Sequence, residues 1–94
     1  MVVPEDVVGP PLTGVTEQTV DGQSWLYAPS TEQAVILNDS ATAVWRLADG
    51  RHGVTAVCTL VAAEYGVPEE VVGADVRQAI ASFVAAGLIP AVHE

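Results

Sequence analysis

Apolar and polar positions change rhythm along this chain. Residues 1–14 hold Pro4, Pro10 and Pro11 with Gly9 and Gly14, and keep neither a two-residue nor a 3.6-residue apolar period. They read as a flexible, Pro/Gly-rich N-terminal arm. From Val15 to Val20 the β-branched run Val-Thr-Glu-Gln-Thr-Val predicts a strand, and Asp21-Gly22 after it is a strong hairpin-turn signal. Ser24 to Ala28 alternates, with Trp25 and Tyr27 on one face and Leu26 on the other, until Pro29 and Ser30 break the run. Ala34-Val35-Ile36-Leu37 predicts a third strand, and Asn38-Asp39-Ser40 supplies side chains suited to capping a helix amine end.

Beyond residue 40 the period lengthens to that of helices. Ala41, Val44, Trp45 and Ala48 share one side of a first helix that Asp49-Gly50 stops. Val54, Val57, Cys58, Val61 and Tyr65 repeat the spacing, with Gly66 placed to terminate a second helix in the left-handed conformation. Pro68-Glu69-Glu70 starts a third: proline suits the first helical position, and the two carboxylates face the positive end of the dipole. Val72, Val76, Ile80, Phe83 and Val84 are its apolar stripe, and Gly87 ends it, with Leu88 folding back on the last turn ahead of Pro90. The fold class is α+β and winged-helix-like, a three-stranded antiparallel β-meander followed by three α-helices. The domain is expected over 15–90, with 91–94 as a C-terminal tail.

Length allows one hydrophobic core, since 94 residues cannot support two. Three Arg, no Lys and twelve acidic residues give a net charge of −9, which repels polyphosphate and anionic lipid, so no nucleic-acid or membrane partner is expected. A single cysteine, Cys58, cannot form an internal disulfide, and no apolar run is long enough to span a bilayer or serve as a signal peptide, which points to the cytoplasm.

Candidate chemistry is sparse. Cys58 sits on the stripe of the second helix with no acid, base or second sulfur nearby in sequence, the setting of an inert buried thiol. His52 in a loop and His93 in the tail have no ligands at metal spacing, and no Gly-rich phosphate loop occurs, so neither cofactor nor catalysis is expected. Trp45 reads as core. Trp25 and Tyr27 either cover the outer face of the sheet or extend a binding surface, with the covering role preferred.

One stretch is specific. Leu37-Asn38-Asp39-Ser40-Ala41-Thr42-Ala43-Val44-Trp45-Arg46-Leu47-Ala48-Asp49-Gly50 resembles the signature of the PqqD-like family of precursor-peptide recognition elements, in which Leu-Asn opens a helix containing a Trp and ending in Asp-Gly. The likeness continues through Tyr65-Gly66-Val67, Asp75-Val76 and Phe83-Val84 to Gly87-Leu88-Ile89, covering roughly residues 24 to 89. It implies a non-catalytic adaptor that captures the leader segment of a ribosomally made precursor peptide as a fourth strand beside strand three, with the third helix as the opposite wall. The implied docking strand is Gln33, Ala34, Val35, Ile36 and Leu37; the candidates on the helix are Asp75, Gln78, Ala79 and Ser82, bordered by Val76 and Phe83. Strand three of a meander is an edge with unpaired amides and carbonyls, so the residues are compatible with β-augmentation. The implied partner is a separate maturation enzyme, such as a protease, a cyclase or a radical SAM enzyme, in a lasso-peptide or related pathway. The same edge leaves a homodimer open.

Two rivals share the architecture. A winged-helix DNA-binding regulator would place the third helix in a major groove, but that helix carries only Arg77 against Glu69, Glu70 and Asp75. A structural interaction subunit of a larger enzyme is the other.

Overall fold

The computed structural model describes residues 7–92, in which β1 (Thr16–Val20), β2 (Gln23–Ala28) and β3 (Gln33–Leu37) precede α1 (Asp39–Arg46), α2 (Val54–Tyr65) and α3 (Glu69–Ala85). The α+β class and the element order are those the sequence predicts. The strands form one antiparallel sheet in the order β1-β2-β3. Asp21 and Gly22 both take positive φ, 51° and 80°, as the tight hairpin turn whose twist matches its flanking strands demands. That turn sets the register Val20 to Gln23 and Thr16 to Tyr27, and the loop 29–32 sets Ala28 opposite Gln33 and Ser24 opposite Leu37.

Alternation divides the sheet. Leu26, Ala28 and Leu37 are buried on the inner face, while Tyr27 and Ile36 remain exposed on the outer one beside half-buried Trp25. The helices supply the rest of the core through Val44, Val57, Val61, Val76, Ile80 and Phe83.

Helix boundaries follow local backbone chemistry. Asn38 accepts from the Ala41 N–H at 2.8 Å and from the Ser40 hydroxyl at 3.1 Å, so α1 begins one residue earlier than the apolar pattern implies. It also ends earlier, at Arg46. Leu47 and Ala48 donate to Val44 and Trp45 three residues back, tightening the final turn out of α geometry. Gly66 closes α2 in the left-handed conformation, with the Val67 N–H on the Ala62 carbonyl; at the end of α3 Gly87 does the same, and Leu88 donates to Phe83 at 2.9 Å. Leu88 is thereby folded back and fully buried.

Several expectations need correction. Residues 1–6 of the expected arm lie outside the described residues; within 7–12, Val8 and Gly9 are buried while Val7, Pro10, Pro11 and Leu12 are exposed. Val8 is fully buried; its N–H donates to the His52 carbonyl, its carbonyl accepts from Gly50, and the Leu12 N–H donates to Leu88. Gly9, with φ +81°, passes so close to the turn that follows α1 that an added Cβ would stand 2.3 Å from the Ala48 carbonyl oxygen. Missing periodicity here reflects one deep anchor in an irregular backbone, which leaves no repeating signal. Pro68 is extended and caps α3 from outside instead of occupying its first turn. Tyr65 leaves the apolar stripe of α2 and is exposed, its place in the core taken by Ala62; Val84 is only half-buried.

Candidate functional site

Between β3 and α3 lies a groove of about 330 Å³. The strand contributes Val35, Ile36 and Leu37; the helix contributes Asp75, Gln78, Ala79, Ser82 and Phe83, spaced to share one face. Of the residues singled out from the sequence, the structure brings these eight together. Gln33 lies on β3 before the groove, Ala34 belongs to the outer face beside Trp25 and Tyr27, and Val76 is buried beneath the helix. Three lining residues were missed: Asn38, Ser40 and Ala41, which close the groove where β3 turns into α1. Their capping role was legible, but a cap signal does not say what the cap faces.

Both ends of the groove are fixed. At the Leu37 end, β3 and α1 share Asn38, whose side chain caps α1 and whose carbonyl accepts from the Thr42 hydroxyl at 2.9 Å. At the other, the Thr31 hydroxyl in the β2–β3 loop donates to the Ala86 carbonyl beyond the end of α3, across 55 residues of sequence. Phe83 packs edge-to-face with the Trp45 ring, with centroids 5.4 Å apart and planes at 75°. Trp45 is therefore structural, as its helical position suggested, although it is half-buried and its Nε1 donates to Glu17 at 3.1 Å.

Among the described residues β3 has no partner on its far side, since the sheet ends there. Its unpaired N–H and C=O groups border the groove, which makes the site a template for an added strand. Asp75 is the single charged side chain lining it. A second groove, of about 340 Å³, lies elsewhere on α3 and is lined by Val54, Arg77, Ile80, Val84 and Val92 among others, but no strand residue borders it.

Other candidate groups stand apart from the groove. Cys58 is buried, and the fold brings Arg77, 19 residues away, beside it, with Nη1 3.9 Å from its sulfur. The same Arg77 group donates to the Gly73 carbonyl. His52 Nδ1 lies 3.0 Å from Asp49 Oδ1. The Arg51 backbone N–H holds the Asp49 carboxyl below the usual carboxylate range; desolvation opposes this, and His52 adds to it through a hydrogen bond and its charge. His93 lies outside the described residues. Among the described residues no group of three His, Cys, Asp or Glu side chains is placed to hold a metal ion, and no helix is long and apolar enough to cross a membrane.

The molecule thus falls among small α+β domains in which a meander precedes a three-helix unit and one sheet edge stays open beside a helix. The sequence model of the family described as Coenzyme PQQ synthesis protein D (PqqD) matches residues 24–89, from within β2 to just past the end of α3, and the chain belongs to this family. No curated protein and no solved structure matches it significantly.

Proposed function

We propose that this chain is a non-catalytic adaptor that captures the leader segment of a ribosomally synthesised precursor peptide by strand addition to β3 and presents it to a separate modifying enzyme. The observation that carries the reading is the open edge of β3 facing α3 across a groove whose two ends are fixed. Family membership supports it, because members of this family act as recognition elements for such peptides.

Magnitudes assign the work within the groove. Four main-chain hydrogen bonds at about 0.5–1.5 kcal/mol each give roughly 2–6 kcal/mol. Micromolar affinity needs about 8 kcal/mol. The difference comes from side chains entering between Val35, Leu37, Ala79 and Phe83, where apolar area is removed from water at about 25 cal/mol per Å². Asp75 selects a basic leader residue, and the net charge of −9 speeds its arrival more than it tightens the complex. The adaptor contributes position and effective concentration to the enzyme's reaction and supplies no reacting group.

An amide-resolved NMR titration of the full chain with candidate leader peptides tests this reading. Coincident shifts at residues 33–38 and 75–83 are expected. No response from any leader, with shifts appearing instead on addition of duplex DNA or a partner protein, overturns it.

A further inference from the structure

A further hollow adjoins the groove at Asp75. On α3, Val71, Asp75, Gln78 and Ser82 stand at spacings of four, three and four, and all are exposed, so they form one continuous surface stripe. Val71 is 61% exposed, the highest value for any large apolar side chain described. It lines a hollow of about 250 Å³, distinct from both grooves described above, bounded by Tyr65, Val67, Val71 and Val72 and sharing Ser40 and Asp75 with the β3–α3 groove. Ser40 and Asp75 border both, so the two hollows adjoin: a β3-walled half, and an apolar half that no strand residue lines.

Resting on the adaptor reading above, we propose that this apolar half is a second subsite for the same peptide, which carries a bulky apolar side chain there, two residues from a basic one. The spacing follows from element geometry. Asp75 and Val71 are separated by about 6 Å along the helix axis, at about 1.5 Å per residue. An extended peptide covers that distance in about two residues, at about 3.3 Å each. Two residues is also the strand's side-chain period, so a side chain opposite Asp75 and the one two positions on point toward the same helix. Charge complementarity chooses a basic group for the first position; the apolar rim of Tyr65, Val67 and Val71 chooses an aliphatic or aromatic group for the second. Antiparallel pairing, the slightly more stable mode, places this flank on the amino side of the pairing segment. The ligand class is therefore an apolar-x-basic sequence leading into a β-prone run.

The test is selection of an mRNA-displayed library of short random peptides on the full wild-type chain and, in parallel, on Val71→Asp and on the Pro variant of Val35 or Ile36 that stays folded. Val71 is exposed, so its replacement leaves the fold intact. Wild-type winners are expected to show the apolar-x-basic flank. Winners on Val71→Asp should keep the basic residue and the β-prone run but lose the apolar preference. A wild-type winner should bind Val71→Asp about tenfold more weakly, while its variant with alanine at the apolar position binds both proteins alike. Equal apolar enrichment on both proteins overturns the subsite and leaves the adaptor reading standing. Winners indifferent to proline in β3 overturn the adaptor reading and the subsite with it. A change of oligomeric state in peptide-free Val71→Asp, with unaltered winners, assigns the apolar half to contact between copies and also overturns the proposal.

Discussion

Among the described residues the sheet has two free edges, and they differ in everything except backbone. Strand β1 is exposed along all five residues; it pairs with β2, is tied to the helices by the Trp45–Glu17 hydrogen bond, and lies outside the span matched by the family. Strand β3 is also an edge, yet it lines a groove walled by α3, is joined through Asn38 to α1, and buries Leu37 in the core. An unpaired edge alone gives a peptide hydrogen bonds at a small net gain, because water already satisfies those groups. A wall beside the edge supplies pockets that exclude water and read side chains. The difference teaches that an open edge becomes a selective site when the tertiary fold sets a second surface at side-chain distance from it.

The largest effect expected from breaking this comparison is on stability. Leu37→Ala removes a buried side chain where β3 meets the helices and should cost about 2–4 kcal/mol, whereas Val20→Ala on β1 should stay within about 0.5 kcal/mol. Urea unfolding of both variants checks the pair; similar losses would mean that β1 shares the core more than its exposure implies.

Binding sharpens the contrast next. Alternate residues of an edge strand direct their N–H groups inward and outward, so one of Val35 and Ile36 offers a donor to an incoming strand. The proline variant that stays folded by circular dichroism should weaken a leader identified by NMR at least tenfold, roughly 1.4 kcal/mol or more. The folded member of the pair Glu17→Pro and Gln18→Pro, on β1, should change affinity less than about twofold. Calorimetric titration separates the outcomes, and equal losses at both edges would remove the distinction between them.

The smallest effect concerns how the segment preceding β1 is held. The loop shaped by Asp49 presents the Gly50 N–H and the His52 carbonyl that bind Val8. The carboxyl of Asp49 is depressed in the folded chain, so its contribution is complete above the usual carboxylate range and is lost as pH falls through the lower folded value. Thermal melts across that acidic window should show the wild-type chain losing more stability than Asp49→Asn. Parallel curves would mean that the loop is held by its backbone alone.

Local features were legible because their causes lie within a few residues. Asp21-Gly22 takes its turn since both positions need positive φ; Asn38 caps α1 through its own side chain; Gly66 and Gly87 end their helices in a conformation costly to residues with a Cβ. The pairing of Val35, Ile36 and Leu37 with Asp75, Gln78, Ala79 and Ser82 came from family resemblance. Periodicity identifies β3 as an edge and α3 as amphipathic, but it does not say that the two face each other.

By itself, then, the sequence determined the elements, their order, their terminators and the alternation of the sheet, all consequences of backbone sterics and short-range hydrogen bonding. The tertiary structure alone decided that Val8 enters the core, that Tyr65 leaves it, that Ser40 and Ala41 join the groove, and that Val71 lines a hollow next to it. Those outcomes depend on how elements distant in sequence pack, and packing is settled by the shapes of surfaces that exist only once the chain has folded.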